Sequence, residues 1–541
     1  MNQKADIILK SNIIFDGFHK MPEGGFVAVK QNKILALGKS DIDLEGFIGP
    51  KTKVYRFKNK ILMPSFHDSH THLILAGMYK TYVNLGAAKS EDEAAQMVKR
   101  FADTIPNEGW IIGFNWYHIF WDNKVLPTKQ SLDKYISDRP VFLLNAEAHG
   151  AWANSKALEI AGVTRNTEDP YGGEVSRFEN GEPSGFLYET ALGLVGVHAL
   201  KFTPAQDMIF VKKYMESAAA LGITAVNDMQ PYFGLNMGSY EAYKGLEDAG
   251  ELNIRIHCAP DLLGDLDEAV KWRDKYNTEK IKVSLLKQFL DGVPTTYTGL
   301  MLEDYSDKSG DKGTSLSDLD FIAKQVEEGH KRGFSIRLHS CGDRSLRLGL
   351  DFYENAIKKY GKNATRHGIE HCEVIHEDDV IRFKELGIIP SMQPEHIAIT
   401  NGFLDNPYPD RLGEARSKRT WMLKTLLDSA GILAIGSDCP VVDNNPFLAL
   451  YRGFTRLHND GTPLGGWNPK ESLTLEELLH CYTYGSAYGV SREHELGSIK
   501  KGNFADLTIL DKNIFAIDPI EILNGTKVEM TVMDGKIIYG E

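Results

Sequence analysis

Cysteine is scarce in this chain. Five occur in 541 residues, at Cys258, Cys341, Cys372, Cys439 and Cys481, an odd number with no Cys-x-x-Cys pair among them. Such a set excludes a disulfide framework and reads as reduced thiols in a cytoplasmic protein. Long apolar runs are missing as well. No stretch approaches the ~20 residues of a membrane span, and Met1-Asn-Gln-Lys-Ala-Asp lacks the apolar centre of a signal peptide. Basic charge is not in excess: 61 Lys and Arg stand against 74 Asp and Glu, a net charge of −13, which argues against nucleic acid as a main partner. Low-complexity tracts are absent. What remains is an ordinary globular composition, 42% hydrophobic and 25% charged. The length suits roughly three or four domain-sized units of ~150 residues.

The two ends share a texture. Ile7–Phe15, Gly25–Lys30 and Lys33–Gly38 are short strand signals separated by turn residues, and Ala505–Asp511 and Val528–Tyr539 repeat the pattern, the latter as a hairpin about Asp534-Gly535. Neither end alone offers enough strands to bury a face, so residues 1–62 plus 480–541 are expected to build one composite β-sandwich. Between them the pattern alternates. Apolar runs beginning at Phe66, Gly222, Asn253, Ser284, Phe334, His367, Ile388 and Ile432 are followed by helical stretches such as Ser317–Arg332 and Glu377–Leu386. Runs apolar on both faces suit buried parallel strands, and eight βα units predict an α/β TIM (β/α)8 barrel over 63–85 plus 208–479. Residues 86–207 are far too long for one connection. They are expected to form an inserted α+β domain after the first barrel strand, covering the barrel mouth.

In a TIM barrel the chemistry sits at the C-terminal strand ends. His70 and His72 lie two apart, so on a strand both imidazoles face one way and converge on one point. Lys287, His339, His371 and Asp438 close later apolar runs. Any one of these has a bland explanation, a hydrogen-bonded structural histidine or a capping aspartate. The ordered set over eight strands points instead to a divalent metal, zinc foremost, with one or two ions left open. Lys287, buried beside cations, is expected to lose its proton readily and to be able to form a carbamate with CO2, a two-oxygen bridge between metals. Candidate substrate contacts are His149 and Tyr117 in the insertion, His396 after the seventh strand, and Arg416 and Arg419, whose guanidinium groups suit an anionic group. A charged helix face explains the arginines equally well. The dense aromatics Trp110, Phe114, Trp116, Tyr117, Phe120 and Trp121 suit either a pocket or the insertion's own core. Cys341, Cys372 and Cys439 adjoin site residues and are taken as packing, because the nearby histidines are committed to metal.

The chain resembles the amidohydrolase superfamily, specifically the amidohydrolase-3 branch that includes N-substituted formamide deformylases. The resemblance spans nearly the whole chain. It rests on Met63-Pro-Ser-Phe-His-Asp-Ser-His-Thr-His72, Arg139-Pro-Val-Phe-Leu-Leu, His149 with Asn154-Ser-Lys-Ala-Leu158, Lys287-Gln-Phe-Leu-Asp-Gly292 and His339-Ser-Cys-Gly-Asp-Arg344. It continues through Ile369-Glu-His371, Ser391-Met-Gln-Pro394, Gly436-Ser-Asp-Cys-Pro-Val441 and Leu496-Gly-Ser-Ile with Gly502-Asn-Phe-Ala-Asp506. Pro64-Ser-Phe departs from the branch's common Pro-Gly-Phe, outside the ligands. The resemblance implies His70 and His72 on one metal, His339 and His371 on a second, and N6-carboxylated Lys287 between them.

The expected reaction is hydrolysis of a non-peptide C–N bond (amide, formamide or cyclic amide) in a small molecule, by metal-activated hydroxide with Asp438 as proton shuttle. Two alternatives stand beside it. A mononuclear aminohydrolase, or deaminase, normally carries a His-x-x-Glu motif at the fifth strand, where this chain has His339-Ser-Cys-Gly342. A catalytically silent barrel acting as a binding or regulatory protein would have no need of an intact ligand set. Oligomeric state is left open, a homodimer being one option.

Overall fold

The computed structural model describes residues 3–21, 24–106, 109–146, 148–232, 235–362 and 364–540. Its contacts divide the chain into two compact units, one of residues 1–71, 215–229 and 244–541, the other of 72–214 and 230–243.

The first unit contains the two chain ends in one sheet. Lys53–Pro64 pairs parallel with Ile7–Phe15 and antiparallel with Leu507–Leu510, so strands from both termini form a single ladder. Alternation puts Leu9, Val27, Val29, Ile509 and Val532 into one apolar cluster, and Ile8, Phe26 and Ala28 into another with Leu44.

The same unit carries eight parallel strands where eight apolar runs are found in the sequence. They are β1 (Phe66–Thr71), β2 (Ile223–Met229), β3 (Arg255–Ala259), β4 (Leu285–Phe289), β5 (Ser335–Ser340), β6 (Gly368–His371), β7 (Ile389–Met392) and β8 (Ala434–Ile435). Every residue of β2, β3, β5, β6 and β7 is buried, as expected of parallel strands covered on both sides. A short strand outside the eight runs, Ile281–Val283, precedes the fourth. Ile281–Val283 pairs with β3, whereas β4 pairs with β5, giving one ladder of four strands and one of five. Parallel bridges occur at both junctions: Asp261 with Lys287, and Thr71 with Cys439 just past β8.

Helices separate the strands and are stopped by identifiable residues. Leu319–Lys331 begins at Asp318, whose carboxylate accepts from the amides of Asp320 and Phe321, and it buries Ile322, Val326 and His330. Glu377–Leu386 ends on Gly387 in the left-handed conformation that a Cβ would strain. No helix among the described residues is long and apolar enough to cross a membrane.

The second unit is built on a six-stranded sheet in the order Gly173–Arg177, Pro183–Glu189, Gly150–Ala153, Val141–Asn145, Ile111–Trp116, Val83–Asn84. The first four strands are joined antiparallel and the last pairs parallel. Its core contains Trp116, Trp121 and Trp152, with Phe186 edge-on to Trp116 at 5.7 Å. Much of the aromatic density therefore packs internally, whereas Phe120 is exposed.

Candidate metal centre

The C-terminal ends of β1, β5, β6 and β8 collect the titratable groups. His70 closes β1. Its Nδ1 lies 2.7 Å from Glu370 Oε2 on β6, and its Nε2 lies 3.3 Å from Asp438 Oδ1. Glu370 is itself fully buried and 3.5 Å from the guanidinium of Arg337. A carboxylate accepting at Nδ1 fixes the tautomer and turns Nε2 toward Asp438.

Backbone contacts bring the first and last strands together. Asp438 N donates to His70 O at 2.7 Å. Asp68 accepts from the amides of Ser437 and His70 and from the Ser437 hydroxyl. Burial pushes the Asp68 carboxyl up to about 6, against those same hydrogen bonds. Gly436 is required here, because a Cβ would stand 2.4 Å from His70 N. Asp438 has φ +65°, and His371 and Cys372 have φ +75° and +48°. Non-glycine residues in that region cost energy and concentrate where side chains must be aimed.

Two groups of three ligand-type side chains occur among the described residues, with donor atoms all within 4.8 Å of one another. One is His70, His72 and Asp438; the other is His371, His396 and Asp438. His396 is thus set against Asp438, its Nε2 3.5 Å from Oδ2. Its Nδ1 is 3.5 Å from Glu373, which accepts a hydrogen bond from the Tyr408 hydroxyl. His339 stands beside His371, ring centroids 4.2 Å apart, with Nε2 3.3 Å from both Cys341 Sγ and Gly292 O. The His70 and His371 rings are 4.8 Å apart.

Lys287 is fully buried and its Nζ has no hydrogen-bond partner among the described residues. Burial lowers the amine to about 8, a shift that Glu370 and Asp438 oppose without cancelling. His371 Nδ1 is likewise buried without a hydrogen-bond partner among the described residues. Burial drives His371 well below the ordinary imidazole range, with His339 and His70 adding to it. Unpaired buried nitrogens are expensive unless something outside the polypeptide completes them. An amine, several imidazoles and a carboxylate form a donor set that fits a divalent cation.

Asp291 shapes this end of the site, a role that its place in the sequence did not reveal. Its carboxylate accepts from the amides of Leu300, Cys341 and Gly342 and from the Ser345 hydroxyl, holding the loop that leaves His339. Burial raises it to about 7 in spite of those bonds. Glu370 was equally hidden. Both lie in motifs next to a ligand, the only signal available.

The remaining candidates are placed differently. Arg416 is buried and donates to Leu412 O, Glu303 O, Asp304 O and Ser306 Oγ, so most of its donors hold the 303–306 loop. Arg419 is half-buried in the turn that follows. His149 and Tyr117 belong to the second unit. His149 Nδ1 is 2.7 Å from Glu189 Oε2, and the Tyr117 ring stands edge-on to Phe120 at 5.1 Å.

A family description for amidohydrolases matches residues 57–539. The chain belongs to the amidohydrolase family. A putative amidohydrolase of Bacillus subtilis (strain 168), YtcJ, is 29% identical over 95% of this chain and 95% of its own. N-substituted formamide deformylase of Arthrobacter pascens is 25% identical over 95% of this chain and 94% of its own. An uncharacterised metal-dependent hydrolase from Pyrococcus horikoshii OT3 superposes with a TM-score of 0.77 at 25% identity, covering 95% of this chain and 99% of that one. This amidohydrolase-family chain is a hydrolase, and the nitrogens converging on Asp438 are its candidate metal ligands.

Proposed function

We propose that this hydrolase cleaves a C–N bond other than a peptide bond, in an amide, formamide or cyclic amide of small size. The two parallel ladders, bridged at both junctions, are read as one eight-stranded barrel, and the sheet of terminal strands as its accompanying β-sandwich. His70, His72, Lys287, His339, His371 and Asp438 would hold one or two divalent ions, zinc foremost. The observation that carries this reading is the Lys287 amine, fully buried over the Phe289 ring and without a hydrogen-bond partner among the described residues. Lowered to about 8, it is neutral often enough to take up CO2 as a carbamate.

When bound, a divalent ion supplies an acidified water and polarises a carbonyl. The chain supplies the rest. Asp438, buried between His70 and His396, takes the proton of the attacking water and delivers it to the leaving nitrogen, which departs only when protonated. Glu370 keeps His70 in one tautomer, and Glu373 orients His396. A deaminase-type glutamate three residues after His339 is disfavoured sterically, since a Cβ on Gly342 would lie 2.0 Å from Leu300 O.

The test is a panel of N-acyl, formamide and cyclic-imide compounds with metal-replete enzyme, following amine release. Hydrolysis of any of these classes supports the reading. No turnover across the panel at full metal occupancy would overturn it.

A further inference from the structure

Gln393 follows β7 directly. It is 1% exposed, and neither its Oε1 nor its Nε2 has a hydrogen-bond partner among the described residues. A primary amide offers two donors and two acceptor sites, so this is a large unmet demand in a buried position. Its direction follows from the strand. Ser391 Oγ meets Ser69 Oγ of β1 at 3.0 Å, although β7 pairs only with β6 and β8. Ser391 therefore faces inward. Gln393 lies two residues on with its backbone still extended (φ −119°, ψ 91°), so its side chain shares that face, one layer nearer the strand ends. Its own carbonyl accepts from His396 N, and the preceding Met392 O accepts from Gly436 N. Both neighbours belong to the segments that present His396 and Asp438.

We propose that Gln393 is a specificity residue that pairs with the amide edge of the substrate; this rests on the C–N hydrolase reading above. A carboxamide presents C=O and N–H side by side. Its two-point complement is an amide whose own N–H and C=O lie on one edge. Lactams, cyclic imides and primary carboxamides have that edge, because a ring holds the amide cis or the nitrogen carries two hydrogens. A secondary acyclic amide is trans, with N–H and C=O on opposite edges, and so is the ordinary peptide bond. Gln393 therefore favours cyclic amides and primary amides over acyclic secondary ones, and it turns peptides away without a steric gate.

The experiment measures binding to metal-replete enzyme of three probes: 4-phenyl-2-pyrrolidinone, its N-methyl derivative, and N-benzylacetamide. The wild type and Gln393→Met are compared by calorimetry, with competition against any hydrolysed substrate. In the wild type, N-methylation weakens lactam binding by about 10–100-fold, as when a buried polar group is left unsatisfied. In Gln393→Met that penalty vanishes, and the lactam no longer outbinds the trans amide. Gln393→Met removes two unpaired polar atoms at nearly constant volume, so its melting temperature holds or rises; Gln393→Glu, which keeps the acceptor and loses the donor, serves as a second variant and loses lactam binding. An equal N-methylation penalty in wild type and Gln393→Met, or three probes bound alike by the wild type, would overturn the assignment. Failure to hydrolyse any C–N substrate, with the Gln393-dependent penalty intact, would instead sink the functional reading and leave the edge recognition standing.

Discussion

Glu370 and His70, 300 positions apart in sequence, are joined by a 2.7 Å hydrogen bond between two fully buried side chains. The carboxylate accepts a hydrogen bond from Nδ1–H, and Nε2 is left facing Asp438. Glu370→Gln keeps the size but loses the charge that fixes this tautomer. Metal affinity is expected to fall about 10–100-fold, as when other carboxylate–histidine supports are removed. Chelator competition measures it, and an unchanged affinity would show that Glu370 does not position the ring.

Asp438→Asn tests the proton shuttle. The amide preserves shape and can still face His70, but it cannot accept the water's proton. Turnover of an identified substrate should drop about 10²–10⁴-fold, while elemental analysis finds most of the metal retained. Wild-type turnover would remove Asp438 from the assigned role.

Gly436→Ala addresses the seam between the first and last strands. The added Cβ would stand 2.4 Å from His70 N and 3.0 Å from Asp68 Oδ1. Backbone must move, and a loss of about 1–3 kcal/mol is expected for such overpacking. Denaturant midpoints measure it. Metal content should fall in parallel because His70 is displaced.

The pH dependence of stability has a definite sign. Burial pushes the His367 ring down to about 3, with His330 adding to the effect. Its Nδ1 accepts from Ile336 N and its Nε2 is 2.8 Å from His330 Nδ1. Between pH 6.5 and about 3 the unfolded chain binds a proton at His367 that the folded chain does not. Stability therefore declines as pH falls through that window, by up to ~1.4 kcal/mol per pH unit for each such group. Burial holds His67 at about 3 as well, and it contributes with the same sign. Urea unfolding of metal-free His367→Gln should show a shallower slope between pH 7 and 5 than the wild type; identical slopes would contradict this account.

The strands and the ligand types were legible because each obeys a local rule. An apolar run ends in a polar residue, and β1 through β8 start within a few residues of where those runs begin. Glu370, Asp291 and Asp68 obey no local rule. Their partners lie on other strands or loops, up to 369 positions away in the case of Asp68 and Ser437, so neither period nor spacing marks them. In the sequence His396 suits a substrate contact, and its approach to Asp438 depends on the short 3-10 turn Pro394–Ala398, whose geometry the residues Gln393-Pro394 only hint at. The short strand Ile281–Val283 escapes notice for a related reason: three residues are too few to show a period, and only the neighbours decide where pairing changes hands.

The bridge between Thr71 and Cys439 sets a timetable for biosynthesis. These residues are 368 positions apart. At ~5–20 residues per second on the ribosome, roughly 20–70 s separate the emergence of the two. A nascent chain that has emerged only through β7 exposes His70, Lys287, His339 and His371 but lacks Asp438. Ser437 is also missing, so Asp68 has not yet acquired its partner. A metal site that needs Asp438 would therefore close only late in synthesis.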